Sequence, residues 1–448
     1  MKKILIRAGI SPTDSFNPSR LIVRNLIGSN VGNLVYQFGV FRTLNNKNVH
    51  VIPDNYKIER DRVTDRDIDQ INKKYLAYVC PLADAIRETY INKLDSYVKF
   101  IEKLNIPFIV AGMGLKTDIQ DDGLRNFPFD ENVANFIRAV NENGTIVGVR
   151  GHTTGNYLSN LGFKENKDFM VIGCPSMFSY GTHVKIQETP INNESLISIN
   201  SSLTSPKSTL KFISRLFKQY PNHYFIPQWL SEFKLTYLGR PDLKVSNAIR
   251  RKFYPTKIDS SEYKKNNVRY PVNAYGWINL LKTVDLSFGA RLHGNIAATL
   301  AGTPNIMVIK DGRMKDVADY HDLTRITSKE LEKYNSLGEV IESVDFHSTE
   351  KNHEKRFQNY LSFWEQNNIK TIYDDDFYRK DSPIDKKFKA KSRLPVEGIS
   401  KLNQENIAIR LKEHRNERIQ WKIEKNKGNY TTLQLTKMRI DNFIRKFK

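Results

Sequence analysis

Three short segments place Arg, His, Gly and Asn where they could work on an anion. The first is Gly289-Ala290-Arg291-Leu292-His293-Gly294. It follows the apolar run Val284 to Phe288 and precedes helix-forming residues Asn295 to Ala301, which Gly302 and Pro304 close. That order predicts strand, loop and helix, with Gly302 in the left-handed position past the helix end and Pro304 as the stop. The helix then starts near His293 to Asn295. Its unpaired N–H groups and positive partial charge set Arg291 and His293 beside a natural anion site. An isolated Arg-x-His reads more simply as a structural ion pair and a helix cap, so the other two segments carry the case.

The second segment, Arg150-Gly151-His152-Thr153-Thr154, ends the strand-like run Thr145 to Val149 and opens a helical stretch, Gly155 to Leu161. Thr153 or Thr154 suits a helix N-cap, and Arg150 is another cation at a strand's C-terminal end. The third, Ile27-Gly28-Ser29-Asn30-Val31-Gly32-Asn33, opens a helix near Leu34 and lets a ligand approach the backbone closely. It matches neither Gly-x-x-x-x-Gly-Lys-Ser/Thr nor Gly-x-Gly-x-x-Gly, so no nucleotide cofactor is indicated. The nine histidines and two cysteines form no His-Glu-x-x-His or Cys-x-x-Cys, and no Asp-rich calcium loop occurs, so no metal is expected. Asp311-Gly312-Arg313, beyond the apolar run Ile306 to Ile309, is expected at the same edge, against donor or acceptor; pairing within the loop is the equal alternative.

These segments need elements to hold them. Apolar runs at Lys3 to Ala8, Tyr75 to Cys80, Pro107 to Ala111, Thr145 to Val149 and Phe169 to Gly173 predict strands. Helical periodicity at Leu34 to Leu44, Ile91 to Leu104, Asn132 to Val140 and Tyr157 to Leu161 separates them. Such alternation predicts a parallel, doubly wound sheet in a Rossmann-like N-terminal domain, residues 1–190. The polar Gln187 to Glu194 breaks the pattern, which resumes in a second domain, 191–350. Its strands are Leu196 to Asn200, His223 to Ile226, Val284 to Phe288 and Asn305 to Ile309, with helices at Leu210 to Phe217 and Tyr275 to Lys282. Two such α/β domains facing a cleft make a GT-B-like architecture, with ligands at strand C-termini between the halves. A helical extension, 351–385, carries Phe357, Tyr360, Leu361 and Trp364 at helical spacing, and a basic helical tail, 386–448, follows.

At 448 residues, two packed domains with an appendage are expected, and 39% hydrophobic residues suffice for real cores. Met1 to Ile6 reads as a first strand rather than a leader, because Arg7 interrupts the apolar run, and no stretch is long enough for a spanning helix. Cys80 and Cys174 sit in apolar runs and are expected as buried thiols. Of the net charge of +21, the stretch 386–448 contributes +12, from 18 Lys/Arg against 6 Asp/Glu, so the excess belongs mostly to the tail. Base-stacking patterns and nucleic-acid modules are absent, and no nucleic-acid partner is expected.

The three segments together resemble the polysaccharide pyruvyl transferases over roughly residues 4 to 325. Gly289 to Gly294, with the Ala-rich helix and Ala301-Gly302-Thr303-Pro304, is similar to that family's most recognisable block. Val149-Arg150-Gly151 with Thr154 resembles its Arg-x-x-x-Ser segment, Thr standing for Ser. Gly173-Cys174-Pro175-Ser176 resembles the block closing its first domain, and Gly28 to Asn33 its opening loop, with Asn33 in place of an acidic residue. The resemblance implies transfer of a pyruvyl (carboxyethylidene) group from phosphoenolpyruvate, without a cofactor, onto two hydroxyls of a hexose in a cell-surface or exopolysaccharide precursor. On that basis His293 is the expected acid/base, with Arg291 and Arg150 on the donor's anionic groups. Gly294, Asn295, Thr154, Arg313 and Asp311 are expected on the donor side. Asn33, Gly32, Gly112 and Gly114 are expected on the acceptor side, in the N-terminal domain. A nucleotide-sugar glycosyltransferase of the same architecture is the alternative.

Within the tail, Leu433 to Lys448 interleaves Leu435, Met438, Ile440, Phe443, Ile444 and Phe447 with Lys and Arg. As a helix it would rest on an anionic membrane beside lipid-linked acceptors, at the inner face of the plasma membrane, or dock on the enzyme body; both readings stay open. The expected location is cytoplasmic.

Overall fold

A computed structural model describes residues 2–240, 252–374 and 382–425. Its first sheet is parallel and contains β1 (Lys2–Ile6), β2 (Val49–Pro53), β3 (Tyr78–Pro81) and β4 (Phe108–Ala111), in the order β2-β1-β3-β4. A parallel pair, β5 (Val147–Val149) and β6 (Phe169–Val171), continues it through a bridge from Met113 to Val149. The second sheet holds β7 (Ile197–Asn200), β8 (His223–Phe225), β10 (Leu286–Gly289), β11 (Asn305–Ile309) and β12 (Arg325–Thr327), ordered β12-β11-β10-β7-β8. Both sheets therefore carry the same doubly wound order, with the first strand between the second and third, and the crevice at that switch point is where such sheets take ligands.

Strands buried on both faces account for the unalternating apolar runs: every residue of β3, β4, β7, β10 and β11 is buried. Two strands of these sheets went unread in the sequence. Strand β2 contains His50 and ends in Pro53, and β12 is three residues long with an exposed Arg325. Both are edge strands, where the apolar signal is diluted because one side faces solvent. Gly302 caps the helix Leu292–Ala301 at φ 77°, as its position predicts. Cys80 and Cys174 are buried free thiols. Among the described residues no helix is long and apolar enough to cross a membrane.

The cleft between the halves is largely closed. The helix Gly32–Leu44 packs on Leu292–Ala301, and one hydrophobic cluster runs from Leu34, Val35 and Phe38 to Ile296, Ala297 and Ala301. Later segments reinforce the junction. The helix Glu350–Gln366 returns to the first sheet, burying Phe357, Tyr360, Phe363 and Trp364 against Ile4, Ile6, Val79 and Ile109, with Leu361 partly buried at the margin. The tail is not uniformly helical: Val396–Glu397 pairs antiparallel with β9 (Arg269–Tyr270), which lies outside both sheets, before the helix Gln404–Lys425. That helix lies over both halves. Its Glu413 accepts from Asn17 Nδ2 (2.8 Å) and Tyr237 Oη (3.2 Å), and Glu417 and Glu424 hold Arg24. The amphipathic stretch Leu433 to Lys448 lies outside the described residues.

Candidate functional site

The C-terminal ends of both sheets open on one cavity of about 280 Å³. Arg7 enters it directly after β1 and Leu82 to Arg87 after β3; from the other half come Gln228 after β8, Arg291 and His293 after β10, and Lys310 after β11. Arg150, Arg313, Tyr90, Asn30 and Asn33 add to the polar lining.

Arg150 is 1% exposed. Its Nε donates to the Gly112 carbonyl (3.1 Å), its guanidinium lies 5.4 Å from the Tyr36 ring centre, and Nη2 has no partner. Arg291, 7% exposed, has its amide bonded to Asn200 Oδ1 (2.9 Å) and its guanidinium 5.4 Å from the Trp229 ring centre, again with Nη2 unpartnered. Burial pushes the Arg291 pKa down; the charge of Glu232, fixed by the Gln228 and Trp229 amides, opposes that. Arg313 donates to Asp84 (2.7 Å) and Asp311 (3.3 Å), and its Nε is free. Burial works against the Arg313 charge, but the two carboxylates outweigh it and hold its pKa up.

His293 is 5.7 Å from the Tyr36 ring, and its buried Nε2 is unpartnered. Burial first, then Arg150, Arg313 and Arg291, hold its pKa well below the ordinary 6.5. At neutral pH it is a neutral imidazole rather than the group titrating near neutrality that the sequence suggested. Lys310, half-buried and donating to Ser202 Oγ (2.7 Å), is brought down to about 7 by desolvation and by Arg291. The arrangement is a desolvated cationic pocket with spare donors, suited to a compact, multiply charged anion.

Several expected site residues have other duties. Asn295 is fully buried; its side chain donates to the Gly289 (2.9 Å) and Arg291 (3.0 Å) carbonyls and its amide bonds the Arg291 carbonyl (3.2 Å), so it shapes the turn and offers an anion nothing. Thr154 Oγ1 donates to Asp316 (2.8 Å), whose carboxylate also takes the Thr153 and Thr154 amides. Asp316 thus caps the helix His152–Asn160 from the opposite half, and Thr154 is a tie between halves rather than a donor contact. Asp311 caps the helix Gly312–Tyr320 through the Met314 amide (3.0 Å) and reaches the site only through Arg313. Gly294 lies against Gln228 and Asn200, outside the lining. Of the acceptor-side residues only Asn33 lines the cavity; its Nδ2 spans the Ile27 (3.0 Å) and Gly28 (3.2 Å) carbonyls. Gly32 and Gly114 act one step back: a Cβ would lie 2.9 Å from His293 Nδ1 and 2.5 Å from Arg150 Cδ respectively. Gly112 holds Arg150 through its carbonyl.

Sequence reasoning passed over Arg7, Asp84, Arg87, Gln228 and Lys310. Arg7 and Lys310 carried a usable signal, since each is the cation that ends an apolar strand, as Arg150 is. Asp84, Arg87 and Gln228 stand in loops with no such pattern. Among the described residues no group of three or more His, Cys, Asp or Glu is placed to hold a metal ion.

The family model for polysaccharide pyruvyl transferase matches residues 30–312. No curated protein matches the sequence. Similar solved structures include S. aureus MnaA with UDP, at 12% identity and TM-score 0.41 over 82% of this chain and 97% of that one. Another is the UDP-GlcNAc 2-epimerase of Neisseria meningitidis bound to UDP-GlcNAc, at 12% identity and TM-score 0.38 over 80% and 99%. Both scores are low, and the fold described above rests on the sheet topology alone.

Proposed function

The chain belongs to the polysaccharide pyruvyl transferase family, and from that premise we propose that its cavity binds phosphoenolpyruvate and passes the carboxyethylidene group to two hydroxyls of a hexose as a cyclic ketal. One observation carries the donor assignment. Arg150, Arg291, Arg313 and Gln228, each with a buried donor that has no partner, line one cavity together with His293, whose Nε2 is also unpartnered. Leaving buried donors unmade is costly, about 1–3 kcal/mol each, and an anion with carboxylate and phosphate oxygens relieves that cost.

In this reading Arg150 and Arg291 take the donor's anionic groups, with Arg313 and Lys310 adding charge. His293 delivers a proton to the vinyl carbon. Donor binding enables that step: its negative charge offsets the three arginines that depress the imidazole, raising the pKa where the proton is needed. The proton makes C2 oxocarbenium-like, and one hydroxyl adds there. Phosphate then leaves with the C2–O electron pair, and the second hydroxyl closes the ketal. The acceptor is read as a hexose of a surface-polysaccharide precursor on a lipid carrier at the cytoplasmic face, and the amphipathic pattern of Leu433 to Lys448 supports contact with an anionic bilayer.

Thermal-shift titration tests the donor. Phosphoenolpyruvate at a hundredfold excess over Kd should stabilise the fold by about 2.7 kcal/mol. UDP-sugars should leave the Tm unchanged, and stabilisation by UDP-sugars alone would overturn the reading.

A further inference from the structure

The cavity has six cationic side chains in its lining but a single carboxylate, Asp84. Asp84 stands in the loop after β3, on the N-terminal half, and has been given no part in donor binding. Its Oδ2 is saturated, accepting from Arg87 Nη1 (2.6 Å) and Arg313 Nη1 (2.7 Å). Its Oδ1 is buried and has no partner. An ionised carboxylate accepts hydrogen bonds and donates none, so that oxygen repels a phosphate or carboxylate and suits a group bearing O–H. Resting on the donor assignment above, we propose that Asp84 Oδ1 receives the attacking hydroxyl of the acceptor sugar and takes its proton.

The placement suits the step. His293 and Asp84 line the same cavity as Arg150 and Arg313, so the acid and the carboxylate share one anion site. Arg313 joins them physically: it lines the same cavity and is bonded to Asp84. Although burial opposes its charge, Arg313 and Arg87 keep the Asp84 pKa below the ordinary carboxylate value, so it is ionised whenever the donor binds. A base this weak still serves, because the hydroxyl becomes strongly acidic only as its oxygen bonds to C2. In that step the C2–O bond forms, the O–H bond breaks, and the proton moves to Oδ1 and on to solvent, balancing the one delivered to C3. The proton of the second hydroxyl leaves with phosphate. The acceptor ring would then lie over Ala83 to Ala85, towards Tyr90 and Arg87.

The test uses the full chain, phosphoenolpyruvate, and whichever methyl hexoside with a free vicinal or 4,6-diol the wild type pyruvylates, followed by phosphate release. Asp84→Asn should lower kcat by about 10²–10⁴. It should retain phosphoenolpyruvate-dependent thermal protection, with equal or tighter donor affinity because a negative charge has gone. Asp84→Glu should recover part of the rate. Turnover of D84N within threefold of wild type would overturn the proposal and leave the donor reading standing. Loss of donor protection in D84N would assign Asp84 a structural role and overturn it as well. Absence of protection in the wild type would instead sink the donor reading itself.

Discussion

Replacing Lys310 by Met should remove most of the proton uptake that accompanies donor binding at pH 8. Burial and Arg291 bring Lys310 to about 7. At pH 8 it is therefore about nine-tenths neutral, and at pH 6 about nine-tenths charged. A multiply charged anion beside it restores the charged form, so binding should draw about 0.9 proton at pH 8 and only about 0.1 at pH 6 from this residue. Above pH 7.5 the phosphate group, with a second pKa of about 6, is already fully ionised and does not mask the effect. Each pH unit above 7 then weakens donor binding by up to about tenfold, or ~1.4 kcal/mol. Calorimetric titration of phosphoenolpyruvate in buffers of different ionisation enthalpy measures the uptake as a slope. Uptake at pH 8 below about 0.2 proton, or a K310M slope equal to wild type, would refute the placement of Lys310 against the donor.

Other expectations follow from the same geometry. His293→Gln should lower kcat by about 10²–10⁴ in the phosphate-release assay while the protein stays folded. Because burial and the arginines hold the folded His293 pKa well below its unfolded value, wild type should lose stability as pH falls below about 6.5; H293Q should gain on it between pH 7 and pH 5 in urea unfolding, and an unchanged difference would place His293 in solvent. Gly114→Ala sets a Cβ 2.5 Å from Arg150 Cδ, so Arg150 must shift and the KM for phosphoenolpyruvate should rise at least about tenfold, read from steady-state kinetics. Thr154→Val breaks the bond to Asp316 between the halves and should cost about 1–3 kcal/mol in urea unfolding, with little change in donor KM.

How far the sequence reached differs between fold and site. Fully buried parallel strands leave unbroken apolar runs, so β3, β4, β7, β10 and β11 were legible; the edge strands β2 and β12, half wetted, were not. Arg150 and Arg291 were legible because a cation just past a buried strand's end has no core to join. Arg7 and Lys310 obey the same rule and went unused. Thr154 and Asn295 show the reverse error. Their types suit anion binding, but the partners that occupy them, Asp316 across the junction and the Gly289 carbonyl inside the turn, appear only in three dimensions.

The amino-acid order alone determined the two doubly wound sheets, the strand-loop-helix turn at Gly289 to Gly294 and the family to which it points, since these rest on local periodicity and backbone chemistry. Only the tertiary structure decided which side chains share the cavity and in what charge state. Three arginines that are 141 and 22 residues apart along the chain, Arg150, Arg291 and Arg313, meet around His293 and strip it of its proton. Burial and the summed field of distant charges set a pKa, and neither is written in local sequence.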